Sequence, residues 1–386
     1  MVNEQIASIR PFIVMDVLER AQEIEREGHD VVHLEVGEPD FETPKAIKEA
    51  AIRALRNGET HYTHSLGIVE LREAICDLYE RTYGVKGLDP DQVVITSGTS
   101  PAFIVALALV LSRGDEIILS DPGYACYPNF ARFISAVPRF VKVEENNGFQ
   151  YDVDAVRSII NVKTKAIMVN SPSNPTGQIT EPERLQAIAD LGLWIFSDEI
   201  YHGLVYDGEK AHSALEYTDR CFVFNGFSKL YAMTGWRLGY VIVPKDFVKT
   251  TKCMVQNFFI SANSVSQYAA YEALTNPEVA LDVEKMVKTY DERRRFMVKR
   301  LKEIGFGVAR EPKGAFYVFA NASSFGQDAY RLAFEILENA HVGVTPGIDF
   351  GANGEGFLRF SYANSLERID EGLRRIELYL HESTKS

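Results

Sequence analysis

The sequence predicts an α/β protein: a large domain on a doubly wound, mostly parallel sheet, joined to a smaller α+β domain. Three observations lead there. Short apolar runs at 93–95, 117–119, 166–169, 193–196 and 221–224 each end in a polar turn, and helical patterns lie among them, as in a doubly wound parallel sheet. Beyond Pro277 the pattern changes to one long charged helix followed by short strands and two further helices. At 386 residues, with 46% hydrophobic and 25% charged, the chain holds enough apolar matter for two cores without disulfides. The expected division is an N-terminal arm and helix at 1–43 that belong to the small domain, a large domain at 44–283, and the small C-terminal domain at 284–386.

Taken in order, residues 11–28 place Val14, Val17, Leu18, Ala21 and Ile24 on one helical face between Pro11 and Gly28. Val31 to Val36 reads as a strand that runs into the turn Gly37-Glu38-Pro39-Asp40-Phe41, where a glycine lets the backbone approach a ligand closely. Helices are expected from Thr43-Pro44 to Gly58 and from Ile68 to Tyr83, with a loop carrying Tyr62 between them. The first sheet strand leads into Ser97-Gly98-Thr99-Ser100 and then an almost wholly apolar, buried helix, Ala102 to Leu111. The next strands end at Asp121-Pro122-Gly123-Tyr124, at Asn170 to Gly177, at Ser197-Asp198-Glu199 with Tyr201 behind, and near Lys229. After the long helix Val279 to Ile304, strands are expected at Tyr317 to Ala320, Val342 to Val344 and Phe357 to Phe360, with helices from Asp328 and Leu366.

In open parallel sheets ligands bind at the carboxyl ends of the strands, and the polar residues of this chain collect there. Lys229 follows a buried strand, where apolar surroundings can lower an amine pKa far enough for Schiff-base chemistry. Gly98, Thr99 and Ser100 open a helix whose free N–H groups and dipole favour a phosphate, and Arg237 could add a bidentate cation. A normal helix cap and a salt bridge account for the same residues equally well. Asp198 ends an apolar strand and requires a cationic partner. Tyr124 could lie on a planar ring, and Tyr201 and Asn174 could bond a ring oxygen. Arg359, inside an apolar strand, needs an anion: a substrate carboxylate, or a buried Asp or Glu.

Composition excludes other classes. A net charge of −13 repels nucleic acid and acidic membrane surfaces. Four well-separated cysteines without a CxxC pair read as buried free thiols in a reducing cytoplasm, and His61 with His64 lack a third metal ligand. No export signal or membrane-spanning run is visible, and no dinucleotide, Walker or GxSxG motif is present.

VGEPDF, HYTHSLGIVELREAI, SGTSPA, DPGYACYPNF, NSPSNPTG, SDEIYHGLVYDG, SKLYAMTGWRLGY, KGAFYVF and LRFSYANS follow one another along nearly the whole chain. In these motifs it resembles the class I/II pyridoxal-phosphate aminotransferases, the aspartate-aminotransferase-like enzymes of fold type I. The resemblance implies pyridoxal 5'-phosphate as cofactor, L-amino acid and 2-oxo acid substrates, ping-pong kinetics and a cytoplasmic homodimer with shared active sites. It implies Lys229 as the internal-aldimine lysine and acid/base, Asp198 as partner of the pyridine nitrogen, and Tyr201 with Asn174 as partners of the ring oxygen. Gly98, Thr99, Ser100, Ser228 and Arg237 would hold the phosphate, with Tyr62 reaching it across the dimer interface and Tyr124 stacking on the ring. The Gly37 backbone, Asn174 and Arg359 would hold the substrate carboxylate. Gly226 replaces a serine that many relatives use for the phosphate. Ser100 stands where the aspartate-using bacterial branch often has a lysine, which leaves alanine, aromatic and other neutral donors open. A C–S β-lyase on the same fold is the alternative, and a non-catalytic PLP-sensing regulator is a remoter one.

Overall fold

The computed structural model describes residues 4–383. Its central sheet has seven strands, in spatial order Val93–Thr96, Gly239–Ile242, Cys221–Gly226, Trp194–Asp198, Thr164–Asn170, Glu116–Asp121 and Val137–Lys142. All neighbours are parallel except Gly239–Ile242, which runs antiparallel to both strands beside it. Five strand positions follow the apolar runs. Two strands are not expected from the sequence. Val137–Lys142 is an edge strand with Pro138 and mostly exposed side chains, so it lacks the buried apolar signature. Gly239–Ile242 follows directly on the Arg237 turn and is fully buried.

Both faces of this sheet are covered, because its strands are apolar on both sides. One face packs Phe103, Ala106 and Leu107 of the helix Thr99–Val110 against Phe196, Phe222 and Phe224. The other packs Ile95, Ile167, Ile195 and Val223 against Leu71, Ile75 and Tyr79 of the helix Val69–Tyr83.

A second core gathers around the antiparallel strands Thr345–Pro346, Phe357–Ser361 and Tyr317–Asn321. The short strand Val32–His33 pairs in parallel with Val342–Gly343, which ties the beginning of the chain to its end. Only these two residues of the expected strand at 31–36 form a ladder. The long helix spans Pro277–Ile304, capped by the Asn276 side chain and ended by Gly305 at φ 111°. Its apolar stripe, including Tyr290, Met297 and Leu301, enters this second core, where Tyr201 and Leu204 also lie.

The helix Ile13–Arg26 begins without a cap of its own. Its first N–H groups, Ile13 and Val14, donate instead to the Asp349 carboxylate at 2.9 and 3.2 Å. All four cysteines are free, but only Cys221 is buried; Cys76 and Cys126 are half-buried and Cys253 is exposed, which corrects the expectation of a buried set. Among the described residues no helix is long and apolar enough to cross a membrane.

Candidate active site

Lys229 lies three residues beyond the strand Cys221–Gly226. Its Nζ donates to the Gly37 carbonyl at 2.6 Å and has no acid within ion-pair distance among the described residues. Burial lowers its pKa to about 8; Glu38 and Asp198 oppose the fall, and the nearby Arg359 and Arg237 add to it. Gly37 has to be glycine here, since a Cβ would stand 2.3 Å from the Tyr317 hydroxyl.

Asp198 ends the adjacent parallel strand and is buried. One carboxylate oxygen accepts the Tyr127 hydroxyl at 2.6 Å and the other accepts the Ile200 N–H at 3.1 Å. Burial raises its pKa to about 6, against the pull of these two donors and of Lys229. A carboxylate held among neutral donors at the end of an apolar strand is suited to a cationic ligand.

Arg359 is 2% exposed, and its antiparallel strand places it opposite Thr345. One terminal nitrogen donates to the Asn174 side-chain oxygen at 2.9 Å. The other donates to the Glu35 carbonyl and, at 3.2 Å, to the Thr345 hydroxyl. Its Nε has no hydrogen-bond partner, and the guanidinium lies 4.4 Å over the Tyr317 ring. Of the two anions left open by the sequence, no buried Asp or Glu forms an ion pair with it among the described residues. A buried, incompletely satisfied guanidinium facing a cavity is suited to an anion.

Gly98, at φ +88°, turns the chain from the strand Val93–Thr96 into the helix Thr99–Val110. The Arg237 guanidinium packs so closely that a Gly98 Cβ would stand 2.6 Å from Nη2. Arg237 itself adopts φ +51°, a conformation uncommon for a residue other than glycine, and its Nη1 donates to the Thr234 carbonyl at 3.1 Å. Gly239 also lacks room, because a Cβ there would come within 3.1 Å of the Thr99 nitrogen. Two glycines and one arginine thus hold a helix N-terminus and a cation side by side, an arrangement fitted to phosphate. Gly226 pairs with Gly239 across the ladder, and a Cβ at Gly226 would stand 3.0 Å from the Gly239 Cα.

One cavity of about 490 Å³ gathers Gly37, Thr99, Ser100, Tyr124, Asn174, Asp198, Tyr201, Ser228, Lys229, Arg237 and Arg359. Gly98 lies just behind it, and Tyr62 stands outside with 80% of its surface exposed. The Tyr201 hydroxyl bonds that of Tyr317 at 2.7 Å. Sequence reasoning missed Tyr127 and Tyr317. Both sit in quoted motifs, DPGYACYPNF and KGAFYVF, but only tertiary contact shows one beside Asp198 and the other between Tyr201 and Arg359.

Residues 29–376 match the family model for aminotransferase class I and II. Over 384 residues the chain is 43% identical to a (5-formylfuran-3-yl)methyl phosphate transaminase of Methanocaldococcus jannaschii, covering 99% of this chain and 100% of that one. It is 39% identical over 381 residues to an aspartate aminotransferase of Pyrococcus horikoshii, covering 97% and 96%. The fold superposes on the Thermus thermophilus aspartate aminotransferase solved with maleate at a TM-score of 0.93, with 36% identity over 98% of this chain and 99% of that one. Family match, full-length identity and a shared fold together place this chain in the class I and II aminotransferases, as an aminotransferase of fold type I.

Proposed function

We propose that this enzyme moves an amino group between an L-amino acid and a 2-oxo acid, with pyridoxal 5'-phosphate as cofactor. The observation that carries the reading is a single cavity uniting a half-buried amine of lowered pKa, a buried carboxylate without an ion-pair partner, a helix N-terminus beside an arginine, and an anion-seeking Arg359. When bound, the cofactor supplies an aldehyde to take the amino group and an electron-poor ring to absorb the Cα electrons.

The residues divide the remaining work. Lys229 would attach the cofactor; its lowered pKa favours the neutral amine that would take the proton from the substrate Cα and hold it on Nζ for return. Asp198, aimed by Tyr127 and Ile200, keeps the ring nitrogen protonated. Tyr201 and Asn174, which line the same cavity, would bond the ring oxygen, and Tyr124 would cover the ring. The Gly98, Thr99 and Ser100 turn, with Ser228 and Arg237, holds the phosphate. Arg359, with Asn174 and the Gly37 backbone, would hold the substrate carboxylate and so orient Cα toward Lys229. Release of one 2-oxo acid before entry of the next makes the kinetics ping-pong.

A homodimer completes the site. Tyr62, Leu55, Phe258 and Ile260 are all exposed, and hydrogen bonds from Ser264, Gln267 and Tyr268 hold the Tyr62 loop against the helix that follows Ile260. A second copy covering this surface would bring its own Tyr62 to the phosphate. The free thiols fit a cytoplasmic setting. Residues 44–283 form the cofactor-binding domain in this reading, with 1–43 and 284–386 forming the small one.

The test is acceptor dependence. With pyridoxal phosphate supplied, a new amino acid should form only when a donor and a 2-oxo acid are both present. Steady pyruvate and ammonia from cystathionine without an acceptor would replace transfer by β-elimination.

A further inference from the structure

Resting on the transaminase reading, we infer that the amino acid served by this cavity carries an uncharged, apolar side chain. That side chain is received by the inner face of the helix Ile13–Arg26. Phe12, Met15 and Leu18 line the cavity from this helix and the residue before it, and Val36 adds to the same wall. Met15 is 45% exposed, a large apolar surface turned to the space above the site rather than into the core. Covering that surface with a hydrocarbon side chain removes both from water.

Charge complementarity points the same way. Among the described residues lining the cavity the cations are Lys229, Arg237 and Arg359. All three have assignments: the cofactor aldehyde, its phosphate and the substrate α-carboxylate. A second, distal carboxylate on the substrate would find no further cation there on this chain, and Ser100 presents only a hydroxyl. It would also meet Glu38, which lines the cavity and bonds the Thr234 hydroxyl. An aspartate or glutamate side chain would therefore lose hydration with no cationic partner from the same chain.

The wall is held in register with the carboxylate clamp. Asp349 receives the N–H groups of Ile13 and Val14 and lies in the short turn Gly347–Phe350. That turn sits between the strand carrying Thr345 and the strand carrying Arg359. One small element thus sets the spacing between the guanidinium and the apolar face.

The test uses the cofactor-loaded enzyme in single half-reactions, following loss of the cofactor's long-wavelength absorbance with phenylalanine, leucine, methionine, aspartate and glutamate. An apolar amino acid should react at least about tenfold more efficiently than either acid, the scale on which hydrophobic pockets discriminate. Faster reaction with aspartate or glutamate overturns the inference and leaves the transaminase intact; no reaction with any amino acid overturns the transaminase reading itself. Calorimetry gives a readout without turnover: 3-phenylpropanoate should bind at least about tenfold more tightly than succinate, and equal or weaker binding overturns the inference. Met15→Arg should shift the phenylalanine-to-aspartate ratio toward aspartate by a similar factor, about tenfold, with an unchanged melting temperature showing that it folds; an unchanged ratio in that folded variant overturns the placement of the side chain against this helix.

Discussion

Lys229 has its pKa lowered mainly by burial, with Glu38 and Asp198 holding it up and two arginines pressing it down. In the cofactor-free protein its reaction with an amine reagent should therefore rise with pH through a midpoint near 8. An ordinary lysine has a midpoint near 10.4, and pH-dependent labelling followed by peptide mapping separates the two. Asp198 shows the opposite sign. Burial raises its pKa to about 6, and the Tyr127 hydroxyl stabilises the ionised form. Tyr127→Phe removes that donor, so the acid limb of the kcat/KM profile should move to higher pH. Asp198→Asn keeps the shape and loses the charge, and kcat should drop by about 100- to 1,000-fold, as for a lost electrostatic stabiliser. Lys229, Asp198 and Arg359 were legible because each is a charged residue at an apolar strand, where the cost of burial signals a purpose. Tyr127 was not: a tyrosine among aromatic and turn residues looks like packing until its hydroxyl is seen against a carboxylate.

At the scale of elements, the strands leading to the site were legible because buried parallel strands are continuous apolar runs closed by polar turns. The edge strand Val137–Lys142 and the inserted antiparallel strand Gly239–Ile242 were not. The first is exposed, and the second is set by glycine contacts with Gly98 and Gly226 that no local pattern displays. The helix Ile13–Arg26 was legible in its periodicity, but its anchor, Asp349, lies more than three hundred residues away. Asp349→Ala should cost about 1 kcal/mol of stability, the usual worth of a helix N-cap. It should also raise KM for the amino donor more than it lowers kcat; thermal melting and steady-state kinetics check the two parts. Gly37→Ala should be more damaging to function, because its Cβ would displace the Tyr317 hydroxyl from Tyr201 and disturb the stack on Arg359.

The whole molecule joins two apolar cores through the cavity between the carboxyl edge of the large sheet and the strands that carry Arg359 and Tyr317. Composition and the change of pattern after Pro277 conveyed two kinds of architecture. They could not convey that Val32–His33 pairs with Val342–Gly343, because that ladder depends on the chain returning to its own beginning. The exposed surface with Tyr62, Leu55, Phe258 and Ile260 carries the expectation of a dimer. Light scattering at micromolar concentration should give twice the chain mass, and Phe258→Asp should lower that mass and weaken cofactor binding together. The measurement closest to the central claim is borohydride reduction of the protein with pyridoxal phosphate, followed by peptide mapping. A stable pyridoxyl group on Lys229 is the predicted result; a cofactor-loaded, active enzyme with Lys229 unmodified would contradict it.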